Sequence, residues 1–368
     1  MSEQTNQKKS GGMMASLQGQ ALILRVLVFS AFVVLIVAVL FLITAFLYFQ
    51  NVGRITRTIP AAIPDAGVTV SEFVQLNDAD SYPAAIAVAA DGTVYSASYV
   101  TGEVWRILLS GTVHSIPDSA AQIGSVIGLD VDSSGRLYVL DRLDPLLLNG
   151  AIIWRIDGDT IEKVIEIPPQ GRRFVGFAND IAVDADGNIY VADVQYDVGL
   201  ATGRILRIDF ESGDIDEWWQ MADSSPENPS APTGLAYAAA SNELIVADAA
   251  RNAIYRIPIS DNPTAETIYA FSGLQQDSPG LNGVAVADDG TIYVSALNLN
   301  RIARLDNDAL AYLAAGFRGG SDVAYDAVEN RLSVNNWDQR WLLPVNFLII
   351  NRHIEPRLPF SIDMIDLQ

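Results

Sequence analysis

Six segments of the chain share one pattern of alternating apolar and polar positions. In each segment an alternating run leads into a tight polar turn, and a second alternating run follows. The clearest copies are "NDIAVDADGNIYVAD" at 179–193 and "NGVAVADDGTIYVSA" at 282–296. A period of two residues on both sides of a short turn rich in Gly, Asn and Asp is typical of a β-hairpin. The pattern therefore predicts six β-hairpins.

The other copies lie at 84–98, 127–141, 233–248 and 321–336. Successive copies start about 40 to 55 residues apart, which is the spacing of propeller blades. A third alternating strand follows five of the hairpins, at 103–108, 152–157, 204–209, 253–258 and 301–306. Outer strands are visible at 161–167 and 214–220. The sequence thus predicts an all-β fold, a six-bladed β-propeller with four strands in each blade.

Closure of the ring requires a strand from one end of the repeats, because an open ring would leave exposed sheet edges. The segment "VTVSEFVQL" at 68–76 precedes the first repeat and alternates as a strand should. We expect it to supply an outer strand to the last blade. The C-terminal segments 345–350 and 360–367 compete for that role, and the sequence leaves the choice open.

An apolar segment that begins at Val26 and ends at Phe49 precedes the repeats, and Ser30 and Thr44 are its only polar residues. At about 1.5 Å per residue, a helix of this length spans the roughly 30 Å hydrocarbon core of a bilayer. The segment is longer than the apolar stretch of a cleaved signal peptide. It therefore predicts a transmembrane signal anchor, with the membrane as a partner.

Basic residues lie on both sides of this segment, with Lys8, Lys9 and Arg25 before it and Arg54 and Arg57 after it. The positive-inside rule then predicts a cytoplasmic N-terminus and an extracytoplasmic propeller. The expected organisation is a disordered tail at 1–20, the anchor at 21–49, a stalk at 50–66 and the propeller at 67–368.

Charge and composition exclude several classes of function. The net charge of −21 repels phosphate backbones, so nucleic acid is not an expected partner. Cysteine is absent, which excludes disulfides, thiolate metal sites and a cysteine nucleophile. His114 and His353, the two histidines, lie far apart in the repeats, which argues against a Ser-His-Asp triad.

Corresponding positions of the repeats meet at one face of a propeller, around the mouth of the central channel, and this mouth is the expected binding site. Four oxygen-bearing residues at or next to the inner-strand starts are candidate ligands for Ca²⁺, which prefers such donors: Asn179, Asn282, Asp322 and Asp180. Asp180 and Asp322 are also the candidate catalytic carboxylates. Polar residues at strand starts also satisfy loop backbone groups, and this alternative stays open.

Further polar residues are expected on the same ligand face. They are the strand-end residues Asp141, Asp193 and Asp248, together with Arg172, Arg173 and Thr233 in the connections between repeats. The loops predicted at 141–150 and 193–203 are longer than the others. Unequal loops on a regular scaffold are common recognition sites, although neutral surface loops would give the same pattern.

The repeat "DIAVDADGNIYVAD" resembles the NHL-repeat and gluconolactonase/senescence-marker superfamily of six-bladed propellers, whose relatives include strictosidine-synthase-like and paraoxonase-like proteins. The resemblance covers about 67–368. It implies one Ca²⁺ in the channel, held by Glu, Asn and Asp at inner-strand starts, and hydrolysis of lactones or phosphoesters. Asn179, Asn282 and Asp322 resemble those ligand positions. Where gluconolactonase-like enzymes have the Glu ligand, this chain has Ala84.

Two hypotheses of function follow. The first is a binding scaffold that uses the channel mouth and its loops for a protein, a glycan or a small molecule. The alternative is a Ca²⁺-dependent lactonase or esterase, in which the metal polarises a carbonyl and Asp180 or Asp322 acts as the base. The sequence leaves the choice between enzyme and scaffold open, and a purely structural surface module is a third reading.

Overall fold

The computed structural model describes residues 24–45, 61–65, 67–76, 81–142, 150–168, 176–197, 199–209, 212–336 and 359–367. The chain divides into two compact units, residues 1–52 and 53–368. The first contains an α-helix and the second a six-bladed β-propeller. Arg172 and Arg173, and most of the predicted loop at 141–150, lie outside the described residues.

The helix of the first unit, α1, runs from Leu24 to Ala45 over 22 residues. Its apolar side chains are exposed, and the Thr44 hydroxyl donates a hydrogen bond back to the carbonyl of Leu40 at 2.8 Å. By length and composition α1 is long and apolar enough to cross a membrane. Residues 46–49 of the predicted span lie outside the described residues.

Two strands precede the first blade, β1 (Ile63–Pro64) and β2 (Val68–Leu76). Blade 1 contains β3 (Pro83–Val88), β4 (Val94–Ser98), β5 (Val104–Ile107) and β6 (Val113–Ser115). A short helix, α2 (Ser119–Gln122), leads to blade 2. Blade 2 contains β7 (Val126–Val131), β8 (Leu137–Asp141), β9 (Ala151–Asp157) and β10 (Thr160–Ile167). Blade 3 contains β11 (Gly176–Val183), β12 (Ile189–Asp197), β13 (Leu200–Ile208) and β14 (Ile215–Gln220).

Blade 4 contains β15 (Pro232–Ala238), β16 (Glu243–Asp248), β17 (Ala253–Pro258) and β18 (Glu266–Ala270). Blade 5 contains β19 (Leu281–Val286), β20 (Ile292–Ala296), β21 (Arg301–Asp306) and β22 (Ala309–Ala315). Blade 6 contains β23 (Val323–Asp326), β24 (Arg331–Asn336) and β25 (Phe360–Leu367). Single 3₁₀ turns lie at Gln275–Asp277 and Leu297–Leu299. The inner strands β3, β7, β11, β15, β19 and β23 contact one another in a ring around the central channel.

Both ends of the chain close the ring. Strand β25 pairs with β24, and β2 then pairs antiparallel with β25, with Val70 opposite Ile365. The expectation that β2 is the outer strand of the last blade is confirmed, and β25 is its third strand. The C-terminal segment at 345–350 lies outside the described residues. Strand β1 adds an edge to blade 5, with Ile63 opposite Ala315.

The core lies between the blades. The described apolar side chains form six buried clusters, one at each interface between adjacent blades. Where blades 6 and 1 meet, the rings of Tyr82 and Phe360 pack with their centroids 4.7 Å apart. On the side of blade 3 that packs against blade 4, Trp218 packs edge-on against Tyr190 of the same blade at 5.2 Å. Full burial of one large apolar side chain stabilises the fold by about 1.5–3 kcal/mol, so the interfaces hold the ring rigid around the channel.

The loop predicted at 193–203 is instead a projecting β-hairpin. Strands β12 and β13 stay paired along it, with Gln195 opposite Thr202 and Tyr196 opposite Ala201. Gly199 takes a left-handed φ of +78° in the turn, a conformation that glycine adopts without strain. The prediction was wrong because the segment continues the alternation of its two strands up to a tight turn.

Candidate functional site

A β-bulge recurs at the same position of the inner strand. In blade 3, Ala178 lies opposite Asp193 and Asp180 lies opposite Ala192, which leaves Asn179 as the extra residue. The equivalent extra residues in the other blades are Ala84, Ile127, Thr233 and Asn282, the last together with Gly283. A bulge redirects the side chain of the extra residue. In blade 6 the strand starts only at Val323, and Ser321 takes the corresponding place.

These six side chains line a cavity of about 250 Å³ at one end of the channel. The cavity is also lined by Tyr99, Arg142, Asp180, Gly283 and Asp322. The structure therefore brings together the four predicted calcium ligands and Thr233, as their corresponding positions in the repeats predict. It also adds two residues that the comparison of the repeats did not include, Tyr99 and Arg142.

Arg142 occupies the part of the mouth where blades 2 and 3 meet. Its Nε donates to the carbonyl of Ala178 at 2.7 Å, and its Nη2 donates to Asn179 Oδ1 at 2.6 Å. The guanidinium lies 5.3 Å from the ring centroid of Phe177. Asn179 Nδ2 in turn donates to the carbonyl of Pro232 at 2.8 Å. The amide of Asn179 is thus engaged at both atoms and links blades 2, 3 and 4.

The strand-end aspartates do not line the cavity. The buried Asp141 carboxylate accepts the backbone N–H groups of Gly124 at 2.9 Å and Ser125 at 2.8 Å, and the indole N–H of Trp154 at 3.0 Å. It therefore holds the connection from blade 1 to blade 2. The buried polar group is satisfied by three donors, which is the usual condition for burial.

The carboxylates of Asp248 and Asp193 are likewise engaged by neighbouring groups of the protein. Asp248 accepts the Ser230 hydroxyl at 2.6 Å and two backbone N–H groups at 3.0 Å. Asp193 forms a buried ion pair with Arg204, with Nη2 and Oδ2 2.6 Å apart. Of the predicted ligand-face residues in the described part of the chain, only Thr233 lines the cavity, and its hydroxyl donates to the carbonyl of Leu281 at 3.0 Å.

Arg142 could have been predicted from the sequence, because it directly follows Asp141, the last residue of the second strand of its repeat. The residue at this position donates its backbone N–H to the connection that precedes its own blade: Tyr99 to Tyr82 at 3.0 Å, Arg142 to Ser125 at 2.9 Å, and Ala249 to Ala231 at 3.0 Å. Successive side chains of a strand point to opposite sides. Because the strand-end aspartates turn away from the channel, the next residue faces it.

The carboxyl groups of Asp180, which is buried, and Asp322, which is half-buried, form the floor of the cavity and join neighbouring blades. Asp180 accepts the N–H of Ile181 at 2.9 Å and the N–H of Leu235, in blade 4, at 2.8 Å. Asp322 accepts the N–H of Val323 at 2.9 Å and the N–H of Ile86, in blade 1, at 2.9 Å. Each carboxyl therefore links its own inner strand to the next one.

A third aspartate, which sequence reasoning missed, repeats this arrangement deeper in the channel. Asp130 accepts the N–H of Val131 at 2.8 Å and the N–H of Val183, in blade 3, at 2.7 Å. It lines a second cavity of about 200 Å³, which Asp180 and Asp322 also border. The available signal was an acidic residue inside the apolar strand "VIGLDV".

Burial raises the pKa of all three carboxyl groups. It raises the pKa of Asp130 to about 7. The pKa of Asp322 rises for the same reason, and that of Asp180 rises through burial and through the nearby charge of Asp322. Burial therefore disfavours the ionised form of each of these carboxyl groups, while the backbone N–H groups that they accept favour it.

A family model described as the SMP-30/Gluconolactonase/LRE-like region matches residues 118–312, more than half of the chain. The chain belongs to this family. The resemblance inferred from the repeats is thereby confirmed. None of the curated proteins searched matches the chain.

Solved structures share the fold of this SMP-30/gluconolactonase-like propeller. A gluconolactonase from Xanthomonas campestris is 18% identical, with a TM-score of 0.55, covering 85% of this chain and 99% of its own. A luciferin-regenerating enzyme is 13% identical, with a TM-score of 0.58 and coverages of 82% and 95%. Virginiamycin B lyase from Staphylococcus aureus is 16% identical, with a TM-score of 0.51 and coverages of 82% and 100%. Identities this low show the fold alone.

The donors at the mouth of this SMP-30/gluconolactonase-like propeller do not fit calcium as they are placed. The oxygen of Asn179, the first candidate ligand, accepts a hydrogen bond from a cation, Arg142. Every carboxylate oxygen of Asp180 and Asp322 accepts a backbone N–H. Among the described residues no group of three or more His, Asp or Glu side chains is arranged to hold a metal. Calcium binding stays a prediction from the resemblance, and the contacts of Asn179 argue against it.

Proposed function

We propose that this SMP-30/gluconolactonase-like chain is a membrane-anchored binding protein, and that its channel-mouth cavity holds a small polar ligand without a metal. The observation that carries the proposal is the 2.6 Å hydrogen bond from the Arg142 guanidinium to Asn179 Oδ1. A positive charge fixed by the chain itself lies against the first candidate metal ligand. A Ca²⁺ ion bound to the same oxygen would have to displace that guanidinium.

The lining of the cavity suits a small polar molecule. Within the described residues, no hydrogen bond engages the side chain of Asn282, which lines the cavity. Asp180 and Asp322 add carboxyl groups with raised pKa values on the floor. A few polar groups that converge in a concave, preformed site are typical of ligand pockets.

The location of the protein belongs to the same proposal. Helix α1 has the length and composition of a membrane span. Three basic residues precede the apolar segment that begins at Val26, the last of them Arg25 in the first turn of α1, and two follow the segment, which favours a cytoplasmic N-terminus. The propeller then faces the extracytoplasmic side, where the cavity meets ligands from outside the cell.

The test is a set of melting curves of the full chain in detergent, first in EDTA and then across a Ca²⁺ titration. We expect no shift with Ca²⁺. A metal at about 100 times its dissociation constant would stabilise the native state by about 2.7 kcal/mol. A saturable rise of that size, lost in Asn179→Ala, would contradict metal-free binding and favour the calcium-dependent hydrolase.

Ligand binding is tested in the same assay in EDTA, with small sugars, polyols, carboxylates and lactones as probes. At least one class should raise the melting temperature, and Asn282→Ala should reduce the rise without changing the melting temperature of the free protein. Asp91→Ala, outside the cavity, is the matched control. If no class gives a rise, the cavity is not a ligand site.

A further inference from the structure

We infer that the ligand of the channel-mouth cavity is a small organic carboxylate, and that Arg142 is the residue that binds its charged end. The inference rests on the proposed function, because it names the class of ligand for the same cavity. It follows from the charge, the free donors and the fixed orientation of one guanidinium.

Arg142 is a half-buried cation without an ion pair to any described residue. Two other arginines of the described residues that are shielded from solvent have a carboxylate partner, Arg204 with Asp193 at 2.6 Å and Arg331 with Asp326 at 3.0 Å. The buried Arg318 is instead held by the Pro359 carbonyl at 2.9 Å and the Ser361 hydroxyl at 2.6 Å. Burial lowers the pKa of Arg142, and the charge of Asp193, which is ion-paired with Arg204, acts in the opposite direction. No carboxylate of the described residues contacts Arg142 directly, however, and a shielded charge without a direct partner is costly. An anion in the cavity would offset that cost, and a neutral ligand would not.

The guanidinium still has donors to offer. It carries five N–H groups; one is used by Ala178 and one by Asn179, and the Tyr99 hydroxyl takes a third. The two that remain are on the terminal nitrogens and can donate to a carboxylate, the anion that guanidinium groups commonly bind. Arg142 also lines the cavity.

The side chain is held in place before any ligand arrives. Its hydrogen bonds to Ala178 and Asn179 fix the plane of the guanidinium, and the Phe177 ring supports it from one side. Phe177 is itself braced by Tyr196, with ring centroids 5.1 Å apart. A group that is already oriented loses little entropy on binding, so Arg142 is prepared for a planar anion.

The carboxyl groups on the floor of the cavity are already engaged by backbone donors. Asp180 accepts the N–H of Leu235 at 2.8 Å and Asp322 accepts the N–H of Ile86 at 2.9 Å, so the place for an anion is at Arg142 and away from the floor. Asn282, on the opposite side of the mouth, offers an amide to the rest of the ligand. The ligand would therefore direct its carboxylate towards Arg142 and its uncharged polar groups towards Asn282 and the floor.

The experiment compares charged and neutral forms of the same molecule. The full chain in detergent, in EDTA at pH 7, is titrated by calorimetry with acetate and acetamide, lactate and lactamide, and gluconate and sorbitol, and with phosphate and sulfate. We expect a carboxylate to bind at least about tenfold more tightly than its neutral partner. Phosphate and sulfate should bind more weakly than that carboxylate.

Arg142→Gln should remove this preference, with at least about a tenfold loss for the carboxylate and no change for the neutral partner. Arg142→Lys keeps the charge and loses the paired donors, so its affinity should lie between the two. The comparison of acid with amide on the unsubstituted protein decides the question even if Arg142→Gln fails to fold.

The outcomes separate the two proposals. If neutral compounds bind as well as their acids, the carboxylate inference fails and the binding function stands. Tighter binding of phosphate or sulfate would likewise overturn the carboxylate and retain the site. If neither charged nor neutral probes bind, the proposed function fails together with the inference.

Discussion

Asn179 and Asn282 occupy the same position in two repeats, yet the two sides of the channel mouth differ. Both asparagines lie at a β-bulge, and both line the cavity. The amide of Asn179 is bonded at both atoms, whereas that of Asn282 has no hydrogen bond to a described residue. The cause lies in the preceding blade, where Arg142 follows Asp141 but Ala249 follows Asp248. The repeat determines where an asparagine side chain lies, and a residue of the preceding blade determines whether that side chain is engaged in a hydrogen bond.

The largest expected effect is a loss of stability when a Cβ is added at Gly283, next to Asn282. A Cβ at Gly283 would overlap the Asp322 carboxylate and would lie 2.6 Å from Asp322 Cα. Gly283→Ala should therefore destabilise the propeller by about 3 kcal/mol, the upper range for overpacking. Melting temperature and urea unfolding measure the change.

Gly128→Ala is the matched control on the Asn179 side, because its Cβ would lie at 2.9 Å from Asp180 Oδ1 and 3.0 Å from Asp180 Cα. We expect a cost of about 1 kcal/mol there. Equal costs at the two glycines would show that the blades do not approach each other as closely at Gly283 as the structure has them.

The next largest effect is the difference in stability between the alanine variants of the two asparagines. Asn179→Ala removes a hydrogen bond from a charged group and one to a backbone carbonyl, and should cost about 2 kcal/mol. Asn282→Ala should change the free energy of unfolding by less than about 0.5 kcal/mol. Urea unfolding of both variants gives the difference, and similar values for the two would remove the asymmetry.

The carboxyl groups of the channel should also make the stability depend on pH, and Asp130 allows the clearest test. Arg142 and the two asparagines keep their charge state between pH 5 and 8, whereas burial raises the pKa of Asp130 to about 7. Its unfolded value is about 3.9, so its contribution to stability is fully present below about pH 4 and is lost as the pH rises through 7. Because the side chain is half-buried and borders a cavity, we expect a loss of about 1–2 kcal/mol.

Melting temperatures at pH 5 and pH 8 measure this smallest effect. In Asp130→Asn, which cannot ionise, the corresponding part of the pH dependence should vanish. Asp91→Asn, on an exposed turn, is the control and should retain it. An unchanged pH dependence in Asp130→Asn would place the titrating group elsewhere.

Much of this architecture was predictable because alternation and turns are local signals. The six hairpins and the convergence of Asn179, Asn282 and Asp322 follow from positions within one repeat. The partner of Asn179 does not, because Arg142 reaches it from another blade, and no local pattern encodes such a contact. The ring closure was predicted in part, because the place of β2 before the first repeat indicated its outer position. Its partner was left open, because the pairing of β2 with β25 joins residues almost 300 positions apart, such as Thr69 and Asp366.

The most direct test of the hydrogen bond between Arg142 and Asn179 at the channel mouth is a double-mutant cycle between these two residues. The free energies of unfolding of Arg142→Met, Asn179→Ala and the double variant should give a coupling energy of about 1.5 kcal/mol, as expected for a charged hydrogen bond. The same cycle between Arg142 and Asn282 should be additive within about 0.5 kcal/mol. Additivity in both cycles would contradict the hydrogen bond between Arg142 and Asn179 and would make Asn179 a candidate metal ligand again.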